Sequence, residues 1–270
     1  MPARTRDTVT GTGPNLLVLQ HIACEPPGAY EDELRDRGGG LQRVMVDQGE
    51  PLPDWRAFDG IIAMGGPMGA YEDDRLPWLT TEKQLIADAV AAGTPFWGVC
   101  LGSQLLAASL GAQVAPGPRP EVGVLPVYRT AEGAADPVFG VMPDKFEAVQ
   151  WHSDTFELPD GAVQLARSHA YEQQAFVFKR AYAVQFHIEV GTGLATEWGE
   201  VPAYAEGLNS LMGDDALPRL LAEIEAREDE MTRLARTVFA AWLERVVVAP
   251  RDYPAPAPNS TAAATSSALL

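Results

Sequence analysis

The chain has 270 residues, with 20 lysines and arginines against 37 aspartates and glutamates, a formal net charge of −17. A balance this acidic argues against phosphate-backbone binding, which needs clustered cations, and against docking on anionic membranes. Its two cysteines, Cys24 and Cys100, are too few for a disulfide framework and lack the spacing of a zinc or redox motif.

Residues 1–14 are polar and read as a disordered arm without the apolar centre of a signal peptide. No later run is apolar for long enough to span a bilayer, so a cytoplasmic location is expected. The first strand is predicted over 15–20 (NLLVLQ), and a polar helix over 29–38 that the triplet Gly38-Gly39-Gly40 breaks. Strands follow at 41–46, at 60–64 (GIIAM) before Gly65-Gly66-Pro67, and at 94–99 (TPFWGV). A helix over 78–92 carries Leu79, Leu85, Ile86 and Val90 at helical spacing, and a second apolar helix runs from 101 to 110. This alternation predicts a doubly wound, mostly parallel α/β sheet with helices on both faces.

From about 122 to 186 the pattern becomes β-rich, with the runs VLPVY, EAVQW, VQLAR, QAFVF and AYAVQF. These predict a small antiparallel or mixed extension of the sheet. Helices return after Gly191, and the apolar stripe over 217–248 fits one long helix or two short ones packed on the body. The Ala/Pro/Ser/Thr-rich residues 249–270 read as a disordered tail, leaving 15–248 as one domain.

Chemistry concentrates in three places. Gly98-Val99-Cys100-Leu101-Gly102-Ser103-Gln104 takes an apolar strand straight into a helix, with a glycine on each side of the cysteine. Such a turn holds a nucleophile strained and exposed above the sheet edge, and the helix N-terminus favours the thiolate. Cys24 has no such surroundings and reads as structural. His187 and Glu189 follow an apolar strand, where residues two apart share a face, so the carboxylate can orient the imidazole of a general base. Gly65-Gly66-Pro67 follows the GIIAM strand at the edge where ligands bind, and the N–H groups of Gly66 and Leu101 can face an oxyanion. A rival reading joins His152 and Asp154 with His187 and Glu189 as ligands of a divalent metal. It leaves the Cys100 turn unexplained and ranks well below; no metal is expected.

With these motifs in this order, the stretch from about Asn15 to Val190 resembles the class I, triad-type glutamine amidotransferases. The likeness is greatest to stand-alone proteins similar to the amidotransferase domain of GMP synthase, including a helical tail over 217–248. It implies a flavodoxin-like fold and a triad of Cys100, His187 and Glu189, with Gly66 and Leu101 as the oxyanion hole. It further implies that Gln104 and the turn His152-Ser153-Asp154 hold the substrate, L-glutamine or another γ-glutamyl amide. Ile188 stands where many members have proline. No nucleotide-binding motif accompanies the triad and no cofactor is expected. Released ammonia therefore implies a separate synthetase subunit as acceptor, and the alternative is a γ-glutamyl hydrolase or transferase acting alone.

Overall fold

The computed structural model describes residues 13–213 and 215–249. Among these residues nine strands form one sheet in the order β2-β1-β3-β4-β9-β8-β7-β5-β6. The strands are β1 (Asn15–Gln20), β2 (Gly40–Met45), β3 (Gly60–Ala63), β4 (Phe96–Val99), β5 (Val114–Arg129), β6 (Lys145–Phe156), β7 (Val163–Arg167), β8 (Ala175–Phe178) and β9 (Ala181–Val184). The helices are α1 (Ala29–Asp36), α2 (Trp78–Ala91), α3 (Leu101–Ser109), α4 (Ala131–Ala135), α5 (Thr192–Gly199), α6 (Pro202–Met212), α7 (Ala216–Glu225) and α8 (Glu228–Trp242).

Strands β2, β1, β3, β4 and β9 are parallel, and β8, β7, β5 and β6 continue the sheet in antiparallel fashion. The parallel half is covered on both faces. On β1, Leu16 and Val18 enter one core with Tyr30 of α1 and Phe239 of α8. Leu17 and Leu19 enter the other, with Ile86 of α2 and Leu105 of α3. Alternating side chains buried on both sides need the near-continuous apolar run that made this strand visible.

One expectation changes. The last β-rich run, AYAV, is β9; it pairs in parallel with β4 and belongs to the core rather than to the extension. A short hairpin turn at Lys179, with φ of 55°, joins β8 to β9 and brings the chain back beside the nucleophile strand. Of the two forms expected for the 217–248 stripe, the chain takes the second: two helices, α7 and α8, broken at Arg227 and followed by a π-turn over Leu243–Val247. Gly13 N–H bonds the Gly38 carbonyl at 3.1 Å, and Gly40 N–H bonds that of Pro14 at 3.0 Å. The remainder of the expected arm and tail, residues 1–12 and 250–270, lies outside the described residues.

Candidate active site

Cys100 sits between β4 and α3 with φ 52° and ψ −108°. A non-glycine residue there costs about 1–3 kcal/mol and persists only where its surroundings dictate it. They do so here. The Cys100 N–H bonds the Val184 carbonyl of β9 at 2.8 Å, while its carbonyl accepts from Ser103 N–H at 3.0 Å and Ser103 Oγ–H at 2.6 Å. The flanking glycines are required by space. A Cβ at Gly98 would lie 2.6 Å from the Gly102 carbonyl, and one at Gly102 would overlap the Ala63 carbonyl of β3. Close approach of helix to strand therefore fixes both. The first-turn N–H of Leu101 has no intrahelical acceptor, by its position.

His187 lies three residues beyond β9, anchored by an isolated bridge: it exchanges both backbone hydrogen bonds with Val149 of β6, each 2.9 Å. The expected strand face is thus supplied by a pairing across the sheet, not by continuation of β9. His187 Nδ1 and Glu189 Oε1 are 2.7 Å apart, and Glu189 Oε2 accepts from the Ile188 N–H at 3.0 Å. Trp198 of α5 presents its ring at 4.8 Å to the imidazole. All of this is buried, His187 at 2% exposure and Glu189 at 3%. Burial works against the imidazolium, but the Glu189 carboxylate and a hydrogen bond to the Cys100 side chain outweigh it and hold His187 well above the ordinary histidine range.

Cys100 opens into a cavity of about 420 Å³ that Gly66, Gln104, His152, Ser153 and Asp154 also line. Every site residue expected from the motifs thus lies at or immediately beside one cavity, His187 and Glu189 behind the sulfur and Leu101 at the helix start. Such a constellation of thiol, imidazole and carboxylate can take and return a proton while the thiol attacks a carbonyl.

Residues 31–197 match the family model for class-I glutamine amidotransferases. The chain belongs to that family. A glutamine amidotransferase crystal structure from Thermotoga maritima superposes with a TM-score of 0.78 at 35% identity, covering 87% of this chain and 98% of that one. The GMP synthase of Thermomicrobium roseum is 37% identical over 70% of this chain, which spans about a third (34%) of that larger protein. A γ-glutamyl-L-1-hydroxyisopropylamide hydrolase from a Pseudomonas species is 26% identical over 74% of this chain and 70% of its own.

The site contains side chains that motif reading passed over. Gln185 donates through Nε2 to the Cys100 sulfur at 3.5 Å and accepts from Gln104 Nε2 at 3.1 Å. Its signal was present: Gln185, His187 and Glu189 are spaced two apart. Glu25 is buried against Gly65 and accepts a hydrogen bond from Tyr204 of α6, and burial pushes its carboxyl up. Nothing local in the sequence marked Glu25. The two His-x-acid pairs stay separate. His152 Nδ1 bonds the Asp154 carbonyl at 2.9 Å and its Nε2 lies 3.3 Å from Glu121, whereas His187 is committed to Glu189. Among the described residues no group of three or more His, Cys, Asp or Glu side chains is placed to hold a metal. Nor, among them, is any helix long and apolar enough to cross a membrane.

Proposed function

We propose that this amidotransferase-family chain hydrolyses the γ-amide bond of glutamine or of a γ-glutamyl amide through a thioester on Cys100. One observation carries the reading: a cysteine in a strained strand-to-helix turn, at the wall of a cavity, with its sulfur beside an imidazole that a buried carboxylate orients. The sulfur attacks the amide carbon, forming C–S, and the carbonyl electrons move to oxygen. Gly66 and Leu101 N–H groups hold that oxyanion. Its collapse breaks C–N, and the departing nitrogen takes the His187 proton. Water, deprotonated by His187, then attacks the thioester, and glutamate leaves as C–S breaks. Glu189 keeps the imidazole in place throughout.

Gln104, His152, Ser153 and Asp154 would bracket the α-amino and α-carboxylate groups. Burial pushes the Asp154 carboxyl up, and Tyr71 hydrogen-bonds it across the cavity mouth. The freed amine has two fates. Ammonia can pass to a separate synthetase subunit, in line with the GMP synthase relative. A substituted amine can leave to solvent, in line with the hydrolase relative. The rim favours the second: Tyr71 and Leu211 line the mouth with their apolar side chains 48% and 45% exposed, ready to cover an apolar amine substituent. Purified protein assayed without nucleotide against glutamine and a panel of N-alkyl γ-glutamyl amides tests this. Turnover of the panel supports the reading; a chain inert to all of them, or one preferring α-linked amides, refutes it.

A further inference from the structure

A second buried histidine stands directly behind the site. His21 follows β1, is fully buried, and is not among the residues lining the cavity. Its Nε2 lies 2.8 Å from Glu82 Oε1 of α2, which is equally buried. Its Nδ1 lies 2.9 Å from the Met64 carbonyl and 3.2 Å from the Gly65 carbonyl. Carbonyl oxygens only accept, so Nδ1 carries a hydrogen whatever the state of Nε2. Burial opposes the imidazolium, yet Glu82 more than offsets it and raises His21 above the ordinary range. Trp78 stacks on the ring at 5.8 Å and completes its enclosure.

The consequence follows from peptide geometry. In a trans peptide the C=O and the next N–H point in opposite directions. The peptide joining Gly65 to Gly66 turns its carbonyl back to His21, so its N–H, which is that of Gly66, turns forward to the cavity. Gly66 and Cys100 line that same cavity, and Cys100 adjoins the loop, since a Cβ built on Gly65 would lie 3.4 Å from the Cys100 Cβ. One built on Gly66 would lie 3.0 Å from the His21 Cβ, so the ring side chain backs the loop directly. Glycine peptides rotate easily, and nothing intrinsic to Gly65-Gly66 selects this orientation. Glu82 keeps one carboxylate oxygen buried without a partner, a cost borne while its other oxygen holds His21.

We propose that the buried His21–Glu82 pair is a positioning device that locks the Gly65–Gly66 peptide with the Gly66 N–H aimed at the developing oxyanion. This rests on the thioester reading above. Neither residue touches substrate; both act through the loop.

Two double variants isolate the donor. His21→Leu/Glu82→Leu removes both charges together, which buried sites tolerate better than losing one. His21→Asn/Glu82→Leu also removes them but leaves an Nδ2–H where the ring Nδ1–H was. Loss of one oxyanion donor costs roughly 10²–10³ in turnover. The Leu/Leu form is therefore expected to lose about 100-fold in kcat with KM nearly unchanged, and the Asn/Leu form to recover about ten-fold of that. Alkylation of Cys100 by iodoacetamide develops no oxyanion, so its rate should hold in both. Unchanged kcat in the Leu/Leu form overturns the proposal, as does a loss carried by KM or matched by slower alkylation. A wild type inert to every γ-glutamyl amide overturns the thioester reading and this proposal with it. Nitrogen NMR of the wild-type chain reads the same claim without a variant: the His21 Nδ1 proton must persist from about pH 6 to 9, and its loss there overturns the assignment.

Discussion

Cys24 and Cys100 are nearly equal in exposure, 7% and 8%, yet the molecule treats them in opposite ways. Cys24 lies in the loop after β1. Its carbonyl accepts from Trp198 Nε1–H at 2.9 Å, and burial, then the charge of Glu25, pushes its thiol up to about 11. Cys100 stands at a helix start in a backbone conformation only a tight strand-to-helix turn enforces, with an imidazole and Gln185 on its sulfur. Burial alone therefore says little about a cysteine. Reactivity comes from the cations, donors and dipoles that face the sulfur.

Substitution at the two sulfurs breaks this comparison most sharply. Cys100→Ala is expected to remove about 10⁴-fold or more of γ-glutamyl turnover with the fold retained, while Cys24→Ala stays within about three-fold of wild type. Steady-state kinetics on both, with circular dichroism as the fold check, decide it. Equal losses would mean that the elbow confers nothing.

The base comes next. His187→Asn is expected to cost nearly as much as Cys100→Ala, because proton transfer and attack act as a unit. Glu189→Gln should cost about two orders of magnitude less, since it orients without transferring a proton. A reversed order in kcat/KM contradicts the assigned roles.

Stability probes the turn itself. Gly102→Ala is expected to destabilise by at least about 1–3 kcal/mol in urea unfolding, because the added methyl meets the Ala63 carbonyl, a backbone atom of the central sheet. Gly111→Ala sits in open space but at φ 87°, so it tests backbone strain without overlap and should cost less. Similar losses would remove the steric reason given for the second elbow glycine.

The smallest effect is on pH. His187 is held above its ordinary value of 6.5, so the folded chain binds more protons than the unfolded one as pH rises past 6.5. The stabilisation is fully present below that pH and fades as pH climbs through the folded value. The limiting slope is about 1.4 kcal/mol per pH unit for one group. His21 adds in the same direction. Urea midpoints measured between about pH 6.5 and 9 should fall in the wild type and fall less steeply in His187→Asn. A rise would reverse the sign.

The parallel half was readable because its strands are short apolar runs punctuated by glycine, and the elbow because a glycine stands two residues to each side of Cys100, Gly98 required by the Gly102 carbonyl and Gly102 by the Ala63 carbonyl of β3. What escaped depended on partners far along the chain. β9 looked like its antiparallel neighbours, since AYAV pairs equally well either way and only the turn at Lys179 sends it to β4. β5 runs for 16 residues through Pro116, Pro118, Pro120 and Pro126, where hydropathy showed only its last stretch. An irregularity between Pro116 and Glu121 lets the first three of those prolines sit against β6, while Pro126 stays in regular register opposite Glu147. His21 and Glu82 come together only in three dimensions, 61 positions apart in the chain. Their charges looked like ordinary polar punctuation.

The central claim is that one sulfur, placed by the elbow and not merely buried, carries the chemistry. A diazo-ketone analogue of glutamine, followed by peptide mass spectrometry and residual turnover, reads it most directly. The account predicts a single adduct on Cys100, loss of activity in proportion to labelling, and an unmodified Cys24. An adduct on Cys24, or turnover that survives complete modification of Cys100, would contradict it.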